Sequence, residues 1–136
     1  MESQYTVRYI LGGNILSMNR VYCEAENVLY SRSLALKKLQ SSEEKEVLSG
    51  LLDIAFNDGD WEWAQNICLS HLNSLNKNIS LLAITCIGHV ARIHNKIDMS
   101  KVKAAFHLLP EDSDTLGRVH DTIEDLKVFI KPSLNQ

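Results

Sequence analysis

Apolar and polar positions along this chain recur with the period of a helix rather than that of a strand. The stretch ISLLAITCIGHVARIHN, residues 79–95, is apolar nearly all round a wheel drawn at about 100° per residue, through Leu81, Leu82, Ala83, Ile84, Cys86, Ile87, Val90, Ala91 and Ile93. A helix of that kind is buried between neighbours on several sides. Its remaining polar stripe is narrow: Thr85, His89, Arg92 and Lys96. The run over 113–130 behaves differently. Leu116, Val119, Ile123, Leu126 and Ile130 make one apolar stripe, and Asp121, Glu124 and Asp125 share the opposite face, the pattern expected of an end cap on a helical stack.

Punctuation places the other helices. Residues 20–38 have helical composition. SSEEKEVLSGLLDIAF opens on Ser42 as a candidate N-cap, with acids in the first turn where the helix dipole favours them. Residues 57–60 form a turn, after which Asp60 caps a run to about Leu75 with a core stripe of Ala64, Ile67, Cys68, His71, Leu72 and Leu75. A shorter helix in DMSKVKAAFHLLPED stops at Pro110. QYTVRYIL, residues 4–11, reads equally as a short strand or a first helix. The pattern predicts an all-α chain, a stack of antiparallel helix pairs with five to six helices, in one domain over 1–136. A shift of 32 residues sets Ile84 over Leu116, Ile87 over Val119 and Ala91 over Ile123, a weak internal repeat in keeping with stacking.

Composition narrows the function. A chain of 136 residues builds one core, and its net charge of −3 gives no basic footprint for nucleic acid. Residues 1–40 carry five Arg/Lys against three Asp/Glu, and residues 41–136 carry nine against fourteen, so a basic partner is drawn to the second part. Cys23, Cys68 and Cys86 are odd in number and sit among apolar neighbours, as reduced core thiols do. No stretch has the length of a membrane span and no signal-peptide core precedes the first helix, so a cytoplasmic monomer without a membrane partner is expected. His71, His89, His94, His107 and His120 lack the i, i+4 pairing with a carboxylate that builds a helical zinc site, and no nucleophile elbow or P-loop occurs. No catalytic, cofactor or metal residue is therefore assigned, and an enzyme ranks behind a binding protein.

Three motifs carry a resemblance. DGDWEWAQNICLSHL matches a D-W-x-W-x-Q helix start through Asp60, Trp61, Trp63 and Gln65. LLAITCIGHVARIHNKID matches a C-x-G-H-x-A-R-I-H helix through Cys86, Gly88, His89, Ala91, Arg92, Ile93 and His94. LGRVHDTIEDLKVFI matches the final helix through Gly117, Asp121, Asp125 and Leu126. Over residues 45–130 the chain resembles small bacterial HEAT-repeat-like proteins that include immunity proteins of contact-dependent growth inhibition systems. Residues 1–40 lie outside the match and either carry specificity or cap the stack. The resemblance implies a HEAT-like stack of helix pairs over 41–136. It also implies a cytosolic inhibitor that binds the C-terminal toxin domain of a cognate delivery protein one to one. Such toxins are commonly nucleases, whose basic cleft an acidic inhibitor occupies as a phosphate surrogate. The alternative is a HEAT-like scaffold for a host protein, since a shared fold does not fix the partner.

Candidate residues follow from these readings. Asp60 is an N-cap and Trp61 a core residue, whereas Trp63 lies on the flank of the stripe and is either packing or an exposed anchor. Asp58 and Glu62 have no structural role in the pattern and are expected at the partner surface, together with Trp63, Glu111, Asp112, Asp114 and Glu124. Asp121 and Asp125, four apart, repel by roughly 0.2–0.5 kcal/mol unless a cation relieves them. That cation is either internal, Arg92 or His89 on the long helix, or a Lys or Arg of the toxin.

Overall fold

The chain breaks where a short polar side chain can accept a hydrogen bond from the first turn of the next helix. The computed structural model describes residues 29–130, and these form α1 (Arg32–Leu39), α2 (Glu44–Asn57), α3 (Trp61–Ser70), α4 (Lys77–His94), α5 (Met99–His107) and α6 (Ser113–Phe129), with no strand among the described residues. Ser31 caps α1, Asp60 caps α3, Asn76 caps α4, Asp98 caps α5 and Asp112 caps α6. Each such cap contributes on the order of 1 kcal/mol. The exception is α2, whose cap position is Glu43 with no side-chain bond. Ser42 is not the cap expected there; instead the Ser41 hydroxyl accepts from the Glu43 N–H at 3.0 Å.

Several boundaries differ from the sequence pattern for the same reason. α1 starts only at Arg32, where Ser31 caps it; residues 20–28 of the expected first helix, and the segment 4–11, lie outside the described residues. α3 ends at Ser70 rather than at Leu75, because Asn76 and the turn before it already begin α4. Leu75 is in consequence fully exposed, although Leu72 stays in the core. α4 ends on Asn95 in the left-handed conformation, φ 55°, a position that Asn tolerates better than most residues.

The helices stack in register. Glu44 at the start of α2 accepts from the side chains of Asn76 and Asn78 at the start of α4, and near the far ends the Phe56 and His89 rings lie 4.7 Å apart. α2 and α4 therefore run parallel, side by side. Lys77 at the start of α4 pairs with Asp112 at the start of α6, and Arg118 donates to Thr85 about two turns further on, so α6 continues the same row. The alternate helices point the other way. Arg32 at the start of α1 reaches Asp58 just past the end of α2, while Lys38 at its end reaches Ser49 and Asp53 in the middle of α2. Gln65, near the start of α3, accepts from the Asp98 N–H just past the end of α4. Sequence separations of 32, 34, 33 and 33 recur in these lateral bonds. The fold is thus a stack of antiparallel pairs with a repeat near 33 residues.

Burial follows this geometry. α4 packs on α2, α3 and α6, which is why it is apolar nearly all round; Ala83, Ile84, Cys86, Ile87, Val90 and Ala91 are fully buried. Cys68 and Cys86 are both free thiols in this core. The Cys86 thiol is pushed well up in pKa, first by its hydrogen bond with Cys68 and then by burial. The end helix packs most of its expected stripe, with Leu126 in the core and Val119, Ile123 and Ile130 against it, and leaves out Leu116. Thr115, Thr122 and Leu126 are its buried residues, Val119 and Ile123 are half-buried, and Leu116 is 50% exposed. α6 packs chiefly on α4, and Thr115 and Thr122 join that stripe on its inner face.

Candidate functional site

One edge of the stack gathers the starts of α1 and α3 and the end of α2. Asp58 lies there, and it is not a surface acid. It is only 5% exposed; its carboxylate accepts from Arg32 Nη2 at 2.7 Å and Nε at 3.0 Å, from the Tyr30 hydroxyl at 2.6 Å and from the Asp60 N–H at 3.0 Å. The bidentate Arg32 bond is the main reason the carboxyl is held down to about pKa 2, with the Tyr30 hydroxyl and the Asp60 amide adding to it against the cost of burial. The same contact pushes the Tyr30 phenol up, after burial. Arg32 then lies over the Trp63 ring, 3.8 Å from its centroid, so the flank of Trp63 is covered by the chain's own cation. Asp60 caps α3 as expected, Trp61 is half-buried against the core, and Glu62 is exposed. Arg32 and Tyr30 escape sequence reasoning because nothing local marks a partner 26 to 28 residues away.

The opposite edge gathers the starts of α2, α4 and α6. Asp112, expected at the partner surface, is occupied here: it caps α6 and pairs with Lys77 at 2.7 Å, a hydrogen bond that with the Thr115 amide holds its carboxyl down to about pKa 2. Glu111 and Asp114 beside it are exposed. At 1.5 Å per residue the 18-residue α4 separates the two edges by about 27 Å. Glu62 and Trp63 on one side, and Glu111, Asp112 and Asp114 on the other, therefore do not form a single patch.

Between the edges lies the row α2, α4, α6. At an offset of 33, Leu48, Leu81 and Asp114 form one line across it, and Leu52, Thr85 and Arg118 the next. Phe56, His89 and Thr122 form a third, and Asp125 stands across from Arg92 in a fourth. The α2 part is apolar and half-buried, the α4 part mixed, and the α6 part charged. Thr85 is engaged, donating to the Leu81 carbonyl and accepting from Arg118 at 2.7 Å. His89 is held neutral, its pKa pushed to about 3 by burial and by the nearby Arg92 charge.

The expected internal pair of Arg92 or His89 with Asp121 or Asp125 does not form. Arg92 leans toward α2, where its guanidinium carbon is 6.0 Å from the centre of the Phe56 ring, and a neutral His89 offers no charge. Asp121 and Asp125 are exposed and make no ion pair with any described residue. Glu124 points outward and pairs only with Lys127 on the same helix, at 3.1 Å. Among the described residues no three His, Cys, Asp or Glu side chains are placed to hold a metal, and no helix is long and apolar enough to cross a membrane.

No protein-family model matches the chain, and neither does any curated protein. Among solved structures it is similar to a chain in the crystal structure of a CDI complex from Cupriavidus taiwanensis LMG 19424. The two are 26% identical with a TM-score of 0.66, over 80% of this chain and 98% of that one. The likeness thus takes in nearly the whole of the neighbour.

Proposed function

We propose that this chain is an immunity protein that binds and neutralises the toxin domain of a contact-dependent growth inhibition system. The observation that carries the reading is the likeness to nearly the full length of a chain from a CDI complex. The three motifs on α3, α4 and α6 support it from an independent direction, since they resemble the HEAT-like members of that class. Inhibition in this reading is by a one-to-one complex formed in the cytosol of the producing cell. The excess of acids after residue 40 suits a basic toxin such as a nuclease, whose phosphate-binding cleft offers the complementary field.

The test is to search the genes flanking this chain's own for a CDI toxin domain and to express that domain with and without the chain. The reading expects growth to be restored only with the chain, and the two proteins to co-elute at the mass of a heterodimer. Growth arrest unrelieved by the chain, together with separate elution, would sink it.

A further inference from the structure

We infer that the toxin domain seats on the exposed side of α6, with a basic segment crossing the helix at Gly117 and its Lys or Arg side chains lying among Asp114, Asp121 and Asp125. This rests on the immunity reading and says which surface performs it. Drawn at about 100° per residue, Asp114, Gly117, Asp121, Asp125 and Val128 fall on one strip, about 120° round the helix from the buried Thr115, Thr122 and Leu126. All five are exposed, Val128 by 63%.

Glycine weakens a helix interior more than any residue but proline, and a compensating gain must come from the space its missing side chain leaves. At Gly50 and Gly88 that space is used inside the chain. Both are buried, and a Cβ would stand 3.0 Å from the Ala35 carbonyl oxygen at the first and 3.7 Å from Thr122 Cγ2 at the second. At Gly117 a Cβ would meet nothing within 4 Å, so no described residue needs the gap. What the gap offers is close approach from outside.

Charge says what approaches. Asp114 and Asp121 stand about 5 Å to either side of Gly117 along the helix axis, and Asp125 lies one turn beyond Asp121. The three carboxylates are exposed and make no ion pair with any described residue. The cations of the helix are engaged elsewhere, Arg118 with Thr85 and the Leu81 carbonyl, and Lys127 with Glu124. Asp121 and Asp125 repel each other across one turn, so an incoming Lys or Arg gains more there than at an already paired acid. The alternate helices offer the reverse field: α1, α3 and α5 carry Arg32, Lys37, Lys38, Lys101 and Lys103 against Glu62 alone.

The experiment titrates the CDI toxin domain found among the flanking genes into the full chain and into three variants, Gly117→Gln, Asp121→Lys/Asp125→Lys and the control Leu116→Gln. Circular dichroism melts accompany each. Gly117→Gln should raise Tm by roughly 2–6 °C, because glutamine favours the helix and meets no neighbour. It should nonetheless weaken toxin binding roughly tenfold or more through a faster off-rate, a split that a merely structural glycine would not give. The charge variant should melt like the parent and lose roughly tenfold or more in affinity, chiefly in on-rate, with the loss shrinking at high salt. Leu116→Gln places the same side chain one residue away but off the strip, and should bind like the parent. Parent-like binding by Gly117→Gln or by the charge variant, a lower melt of Gly117→Gln, or an equal loss in Leu116→Gln overturns the docking strip and leaves the immunity reading intact. If the flanking genes hold no such domain, or the parent does not bind it, both are overturned.

Discussion

Replacing Asp58 by Ala should damage the fold rather than any surface. The substitution removes the acceptor of two Arg32 bonds, of the Tyr30 hydroxyl and of the Asp60 amide at once. Hydrogen bonds to a charged group contribute about 1.5–3 kcal/mol each and neutral ones about 1. The sum is reduced because the Arg32 side chain is 45% exposed and regains water when released. A net loss of about 2–4 kcal/mol follows, or a fall in Tm of about 10–20 °C for a domain of this size. Arg32→Ala should reproduce part of it, and the double variant should be less than additive, since both remove one bond pair. The measurement is thermal unfolding followed by circular dichroism, with Trp63 fluorescence reporting release of the stacked guanidinium. The carboxyl also predicts a pH dependence. Its folded pKa of about 2 lies below the unfolded value of about 3.9, so its contribution is complete above pH 4 and is lost as pH falls toward 2. An Asp58→Ala chain that melts within about a degree of the parent, with unchanged acid sensitivity, would refute this role.

Leu126→Ala should cost about 2–5 kcal/mol in urea unfolding, and Leu116→Ala on the same helix less than about 0.5, because the first is fully buried and the second half exposed. Equal effects would mean that Leu116 is packed as Leu126 is. Gly50→Val should destabilise by about 1–3 kcal/mol, since even a Cβ there would stand 3.0 Å from the Ala35 carbonyl oxygen of α1; a variant as stable as the parent would show that α1 can retreat. His89, held near pKa 3, should make stability fall as pH drops below about 6.5, because the unfolded chain takes up a proton that the folded ring refuses. His89→Gln should flatten that slope, and an imidazole titrating near 6.5 in the folded protein by NMR contradicts the assignment. Toxin affinity should weaken with salt, mainly through association rate, as charges beyond about 8 Å are screened at physiological ionic strength; an affinity flat in salt would make the acids incidental.

The parts of the fold that were legible in the sequence are those fixed by one helix at a time. The wheel of α4 is apolar nearly all round, so its central burial could be read without knowing its neighbours. Asp60 before Trp61 likewise identifies its own cap. What escaped depends on two helices meeting. Asp58 looks idle in sequence because its partners Tyr30 and Arg32 precede it by a whole helix pair. Arg92 and Asp125 illustrate the opposite case. Their offset of one repeat does put them on neighbouring helices, but a sequence cannot tell which neighbour a long side chain will choose, and here Phe56 on the other side takes it. Leu116 shows a third limit, for an apolar stripe faces the core only where a neighbour covers it, and among the described helices α6 packs chiefly on α4.

The central place of α4 also has a bearing on how the chain can be made. Both α2 and α6 pack on it, and α3 reaches it from the other side. During synthesis α1, α2 and α3 therefore leave the ribosome before the helix that buries their inner faces exists. Until His94 has emerged, α2 and α3 lack α4, and of the described helices they have each other and α1 to cover their apolar sides, the kind of exposed intermediate that nascent chains must survive. The last helix faces no such wait, because its whole docking surface is already built when Ser113 appears. A slow codon or a stall placed after α3 should consequently leave aggregation-prone chains, whereas one placed after α4 should be harmless.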